Sequence, residues 1–353
     1  MTAPAAAPSS STVSGVGPAR SGVAPSPVAR AAAAAPSAGA AAPDGGARHQ
    51  TIAVLGPGGV GGFLAAVLAR AGERVTVVAR DQTAATIARD GIAVRSVLAG
   101  DFTARPAAAT ARLTEPVDVL FVATKAAGLD AALERVEARP GLVVPLLNGL
   151  DHVARLRERF GARAVVGTIR IEADRPEPGR VVHTSRFLLV ELASDDPALR
   201  PRLEELAALL ERAQVPARVA PSEAQALWGK LVRLNALACA TAGYDATLGE
   251  IRAEPEHAAS LDACVVEGAA VAAAEGADID PDVVRGELAR VHDDFVSSMQ
   301  RDLVAGREPE LDAIPGAVLR AGARHGIACP AIAAFAARVA ERAGMPAPVT
   351  LAG

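Results

Sequence analysis

Thr51-Ile52-Ala53-Val54-Leu55-Gly56-Pro57-Gly58-Gly59-Val60-Gly61 is the stretch that decides the fold. Thr51 to Leu55 is a short, unbroken apolar run, the pattern of a strand buried on both faces. Gly56-x-Gly58-x-x-Gly61 follows at once. An apolar helix then runs from about Val60 to Ala71 and stops at Gly72. Strand, glycine loop and helix in that order is the context in which such a glycine pattern carries weight. Gly56 permits a tight turn, Gly58 lets the backbone approach a pyrophosphate, and Gly61 lets the helix pack close to the strand. The first helical N–H groups, from Gly59 and Val60 onward, lie at the positive end of the helix dipole and suit phosphate. Gly56, Gly58, Gly59, Val60 and Gly61 are therefore candidate cofactor-binding residues.

The next strand, Arg74 to Ala79, ends in Arg80. A site for NAD places a carboxylate near this point to hold the ribose 2′-hydroxyl. A carboxylate repels a 2′-phosphate, whereas a guanidinium attracts it and binds it in a fork. Arg80 thus points to NADPH. Further strands are expected at Val117 to Ala123 and Leu142 to Leu147, with a helix at Leu129 to Glu137 between them. Alternating strand and helix implies a parallel sheet. Val165 to Ile171, Arg180 to His183 and Phe187 to Leu192 read as strands joined by turns, and they suggest an antiparallel extension of that sheet.

After Ser222 the strand signals stop. The rest reads as helices broken at Gly243, Gly276, Gly306 to Pro309 and Gly326 to Pro330. The expected architecture is α/β. A Rossmann-type parallel-sheet domain over 49–220 carries the antiparallel extension, and an all-α C-terminal domain covers 221–345. Upstream, residues 1–48 are mostly Ala, Pro, Ser and Gly, with no aromatic residue. Such a stretch cannot bury enough apolar surface to offset its ordering entropy and is expected to be disordered.

Composition narrows the function classes. Net charge is −4 over 353 residues, with acid and base nearly balanced. That leaves no electrostatic footprint for nucleic acid and no polybasic patch for a membrane surface. No apolar run reaches the ~18 residues of a membrane span, the longest being interrupted at Glu267 and Glu275. Cys239, Cys264 and Cys329 lack any CxxC spacing, and the six histidines have no ligand spacing. No metal site is expected, and three buried thiols suit a reducing cytoplasm.

Four further features carry chemistry. Thr124-Lys125 ends one strand, and Asn148-Gly149 ends the next. Trp228-Gly229-Lys230-Leu231 lies on a helix. Ser297-Ser298-Met299-Gln300-Arg301-Asp302 is followed by Glu310-Leu311-Asp312. In this order and spacing, with the glycine loop, they resemble the 2-dehydropantoate 2-reductase (ketopantoate reductase) family over about residues 50–345. The resemblance implies NADPH-dependent reduction of a small 2-oxo acid. It makes Lys230 the proton donor, Glu310 the carboxylate that holds the lysine and substrate, and Ser298 a substrate contact. It sets Asn148 and Lys125 beside the nicotinamide end.

Chemistry agrees with these roles. Hydride addition to a ketone leaves negative charge on oxygen, so an acid must protonate it. A lysine serves near neutral pH once burial lowers its pKa from ~10.4. One departure stands out. The family carries Asn four and eight positions after the lysine, where this chain has Leu234 and Ala238. Asn235 points about 140° away from Lys230. Thr241, nearly back on the lysine's face, is the remaining candidate for a polar substrate contact. Leu and Ala in place of two amides make a bulkier, more apolar 2-oxo acid the main alternative to 2-dehydropantoate. A protein that binds NADP(H) without turnover is the competitor from another class. A homodimer through the helical part is open, although no heptad pattern marks it.

Overall fold

The computed structural model describes residues 50–348. The extension expected to be disordered, 1–48, lies outside them. In chain order the first elements are β1 (Thr51–Leu55), α1 (Gly59–Arg70), β2 (Arg74–Val78), α2 (Asp81–Asp90), β3 (Ile92–Ser96), β4 (Phe102–Ala104) and β5 (Ala108–Thr110). Next come β6 (Val119–Val122), α3 (Leu129–Leu133), β7 (Leu142–Pro145), α4 (His152–Phe160), β8 (Val166–Arg170), β9 (Ala173–Glu177), β10 (Arg180–His183) and β11 (Leu189–Ala193). α5 (Arg200–Arg212) and β12 (Ala217–Val219) complete the part that contains sheet.

β1, β2, β5, β6 and β7 form a parallel sheet in the order β5-β2-β1-β6-β7. Its crossovers run in opposite directions on either side of β1. The crevice between the carboxyl ends of β1 and β6 is therefore the topological switch point, where such sheets bind ligands. The expected antiparallel extension is divided between two sheets. β8 pairs antiparallel with β11, which pairs with β12, and a single bridge from Val143 to Ala164 links this group to β7. β10 leaves it for a second sheet, β4-β3-β10-β9. That second sheet covers the far side of α1. Burial on two sides explains why the helix is apolar all round, with Phe63 against His183 at 4.7 Å between ring centroids. The strands over 92–110 gave no sequence signal, because three-residue edge pairings such as β4 and β5 are chosen by their partners.

The remainder is helical: α6 (Glu223–Tyr244), α7 (Leu248–Ala253), α8 (Pro255–Ala274), α9 (Pro281–Ala289), α10 (Ser298–Val304), α11 (Ala317–Arg324) and α12 (Pro330–Ala343). α6 begins at Ser222, whose side chain accepts a hydrogen bond from the Gln225 N–H. It runs through Gly243 rather than breaking there. A Cβ at Gly243 would meet Phe335 Cδ1 at 2.5 Å, so this glycine lets α12 approach. The helix stops at Asp245, which takes the left-handed conformation (φ 54°). Trp228 on α6 is 2% exposed, and truncating such a side chain to Ala costs about 3–5 kcal/mol. α8 is by length and composition apolar enough to cross a membrane, but it lies against α6 with Cys264, Val265 and Val271 in the shared core. Glu267 on α8 accepts from the N–H groups of Ala331 and Ile332 at the start of α12.

Candidate active site

Three strand ends and two helical segments enclose a cavity of about 1120 Å³. The loop after β1 supplies Gly56 to Val60, β6 leads into Thr124 and Lys125, and β7 into Asn148. From the helical half come Lys230 on α6, Ser298 and Asp302 on α10, and Glu310.

The glycine loop fits a dinucleotide. A Cβ at Gly58 would have nothing within 4 Å, so the backbone there is open to the cavity. A Cβ at Gly61 would sit 2.3 Å from the Gly56 carbonyl oxygen, which fixes how closely α1 can lie on β1. The Thr124 hydroxyl beside Gly56 is buried without a hydrogen-bond partner and lines the same cavity. At the far end Arg80 precedes α2 and is exposed, with no hydrogen bond or ion pair to any described residue. This set suits phosphates at the α1 N-terminus and an anionic group at Arg80.

Lys230 is 9% exposed. Its pKa is lowered to about 8: burial is the main cause, Glu310 pulls it up, and Arg170 and Arg233 push it down. Among the described residues it has no ion pair within 4.0 Å, so Glu310 acts on it through space. Asn148 Nδ2 donates to Glu310 Oε2 at 2.8 Å. Two contacts bring them together. Gly149 (φ +86°) lies so close to Ala313 that a Cβ would sit 2.1 Å from its carbonyl oxygen. Arg320 bridges Asp151 at 2.5 Å and Asp312 at 2.6 Å. The chain reaches Glu310 because α10 ends before Gly306 (φ +63°) and turns back. Pro309 is buried ahead of a π-helical turn over Asp312–Gly316.

Ser298 is exposed at the first position of α10 and lines the cavity, while Ser297 caps the helix by accepting from the Gln300 N–H. Lys125 gives its ammonium to Asp302 at 2.6 Å, and Arg307 holds the same carboxylate at 2.8 Å. Asp302 thus ties the β6 loop to α10.

Thr241 is not a cavity residue. Its hydroxyl donates to the Leu237 carbonyl and bonds Ser297 at 2.7 Å, and the side chain is fully buried. It returns to the lysine's face, but about 16 Å further along the helix, where α10 covers it. Ala238 is also outside the cavity wall; Leu234 and Leu237 line it instead. Seven residues of helix bring the chain within about 20° of the starting direction, whereas eight overshoot by about 80°. Asn235 is buried facing Cys239.

Sequence reasoning passed over Arg233, Glu172 and Phe187, which line the same cavity as Lys230. Arg233 did leave a signal: it is the one charge in Leu231-Val232-Arg233-Leu234. Burial raises the pKa of Glu172, whose Oε1 is buried without a hydrogen-bond partner. His152, at the start of α4, is held neutral by burial and then by the Lys230 charge, its pKa falling to about 4.

Known proteins resemble this chain in sequence and fold. Residues 52–191 match the family described as ketopantoate reductase PanE/ApbA, and residues 224–343 match its C-terminal part. A 2-dehydropantoate 2-reductase of Caulobacter vibrioides is 34% identical over 80% of this chain and 95% of its own length. A 2-dehydropantoate 2-reductase of Halobacterium salinarum is 31% identical over 83% of this chain and 99% of its own length. The crystal structure of the Geobacter metallireducens 2-dehydropantoate 2-reductase superposes with a TM-score of 0.76 at 28% identity, covering 82% of this chain and 99% of that one.

Proposed function

The chain belongs to the ketopantoate reductase family of NADP-dependent oxidoreductases, and on that premise we propose that it reduces 2-dehydropantoate to (R)-pantoate, a step towards pantothenate. The observation that carries this reading is Lys230, a buried lysine with its pKa brought near neutrality, in one cavity with the glycine loop and the Asn148–Glu310 pair.

Gly56, Gly58, Gly59 and Val60 would hold the NADPH phosphates, with Gly61 letting α1 close on the loop, and Arg80 would hold the 2′-phosphate. Thr124, Lys125 and Asn148 would lie towards the nicotinamide. The bound cofactor supplies a hydride to the carbonyl carbon. As the C=O π electrons move onto oxygen, Lys230 gives that oxygen its proton. Positioned transfer of this kind contributes roughly 10²–10⁴-fold. Glu310 keeps a fraction of Lys230 charged near pH 8, and Asn148 fixes Glu310. Ser298 is placed to donate a hydrogen bond to substrate.

The test is NADPH oxidation with 2-dehydropantoate, comparing wild type with Lys230→Ala. Turnover that survives the substitution undiminished would sink the assignment. Leu234 and Leu237 favour a second reading, a 2-oxo acid with a bulkier apolar side chain, because neither can pair with a substrate hydroxyl. A substrate panel separates the two: exclusive use of 2-dehydropantoate removes the second. NADPH binding without turnover of any 2-oxo acid would leave a sensor.

A further inference from the structure

Arg233 lies one helical turn beyond Lys230 on α6, and both line the same cavity. Side chains so spaced have Cβ atoms about 5–6 Å apart. The Arg233 side chain is 13% exposed. Its ion pair is a single loose contact, Nε to Glu287 at 3.5 Å, and Nε is buried without a hydrogen-bond partner. None of its N–H groups hydrogen-bonds to any described residue. Its guanidinium carbon sits 5.4 Å from the Phe187 ring.

Arg170 is a useful contrast. It donates to the Gly229 carbonyl at 3.0 Å and to Glu287 at 3.2 Å, with Glu191 at 3.6 Å. Glu287 is therefore already engaged, and Arg233 is not needed to neutralise it. A buried guanidinium with its fork of donors unmet is costly unless something anionic completes it.

We propose that Arg233 binds the carboxylate of the substrate, so that the site accepts 2-oxo acids and rejects their neutral esters. This rests on the reading of Lys230 as proton donor to the ketone. In a 2-oxo acid the carboxylate carbon is bonded directly to the carbonyl carbon. Lys230 at the ketone oxygen and Arg233 at the carboxylate match that adjacency. The planar fork takes both carboxylate oxygens, and Leu234 and Leu237 face the remaining side chain. Burial and the neighbouring Arg170 both disfavour the Arg233 charge, and an incoming carboxylate offsets both. Glu172 also faces Arg233; burial raises its pKa while the Arg233 charge pulls it back down, and no hydrogen bond or ion pair within 4.0 Å joins the two.

The experiment uses NADPH-loaded full-length protein, with Arg233→Leu and Arg233→Lys beside wild type. Substrates are 2-dehydropantoate, 3-methyl-2-oxobutanoate and their methyl esters; oxamate serves as a non-reducible probe of binding. In Arg233→Leu the KM for the acids should rise about 100-fold, with the preference for acid over ester collapsing. NADPH affinity should stay unchanged, and Arg233→Lys should fall between the two. Glu287 keeps Arg170, so the Leu variant leaves no orphaned carboxylate to unfold it. Unchanged KM and an intact acid preference in Arg233→Leu would overturn the proposal while leaving the reductase reading standing. No turnover by wild type, with oxamate binding lost only in Arg233→Leu, would uphold the anchor and overturn the reductase reading.

Discussion

Asn148 and Glu310, 162 residues apart in the chain, meet through a 2.8 Å hydrogen bond at the edge of the cavity that holds Lys230. The amide comes from the end of β7 and the carboxylate from the turn before α11. The bond holds the carboxylate that pulls the Lys230 pKa up against the effect of burial, so a residue of the sheet half positions a charge that acts on the helical half.

The reduction should lose rate as pH rises through about 8. Lys230 must be protonated to donate, and its pKa in the fold is about 8. The reverse oxidation, which needs the free amine, should gain rate over the same window. Glu310 raises that pKa, so Glu310→Gln should move both breaks to lower pH. A kcat/KM profile in each direction measures this, and an unmoved break in Glu310→Gln would show that Glu310 does not set the lysine's charge.

Lys230→Met should give an inactive but more stable protein. The lysine's pKa is lowered in the fold, so at pH 7 the native state carries a disfavoured charge. That penalty is full below pH 8 and fades as pH rises towards 10.5, where the unfolded lysine also loses its proton. The difference corresponds to about 3 kcal/mol at pH 7 as an upper figure. Chemical denaturation at pH 7 and at pH 10 checks it. The stabilisation should be larger at pH 7, while reductase activity is lost at both.

Arg80→Gln should weaken NADPH binding by about 10- to 100-fold and leave NADH binding nearly unchanged, since only the former carries a 2′-phosphate. Titration of both cofactors by intrinsic fluorescence measures the ratio. Equal losses for the two would place Arg80 away from the 2′ position.

Gly58→Ala and Gly61→Ala should fail in different ways. Space around Gly58 is open, so its variant should fold with a thermal midpoint close to wild type and bind NADPH poorly. At Gly61 the new methyl would meet the Gly56 carbonyl at 2.3 Å and Ala123 Cβ at 2.9 Å, forcing α1 off β1. Its variant should lose stability by about 1–3 kcal/mol as well as cofactor binding. Thermal melts with and without NADPH separate the two.

Much of this was legible from local pattern. β1, the glycine loop and α1 were readable because consecutive residues carry the whole signal: a buried run, a tight turn, a helix start. Lys230, Glu310, Asn148 and Ser298 were named from the order of short motifs, and they do line one cavity. What failed were inferences about direction and distance. Thr241 has a suitable angle but lies too far along α6. Ala238 was named where Leu237 faces the cavity, a one-residue error that the helical period turns into about 100°. Gly243 was read as a break because glycine is a poor helix former, whereas packing against Phe335 overrides that preference.

By itself the sequence determined the first strand, glycine loop and helix, the alternation that builds the parallel sheet, the helical second half, the Arg80 signal for NADPH, and the residue types available for proton transfer. All of these depend on neighbours within about one turn or one strand. Only the tertiary structure decided that β10 would leave its neighbours for a second sheet, that Asp302 would join Lys125 to Arg307, and that Arg233 would face the cavity with its donors unmet. Those outcomes turn on which distant segments exclude water from one another, and burial of that kind leaves no mark on any single stretch of chain.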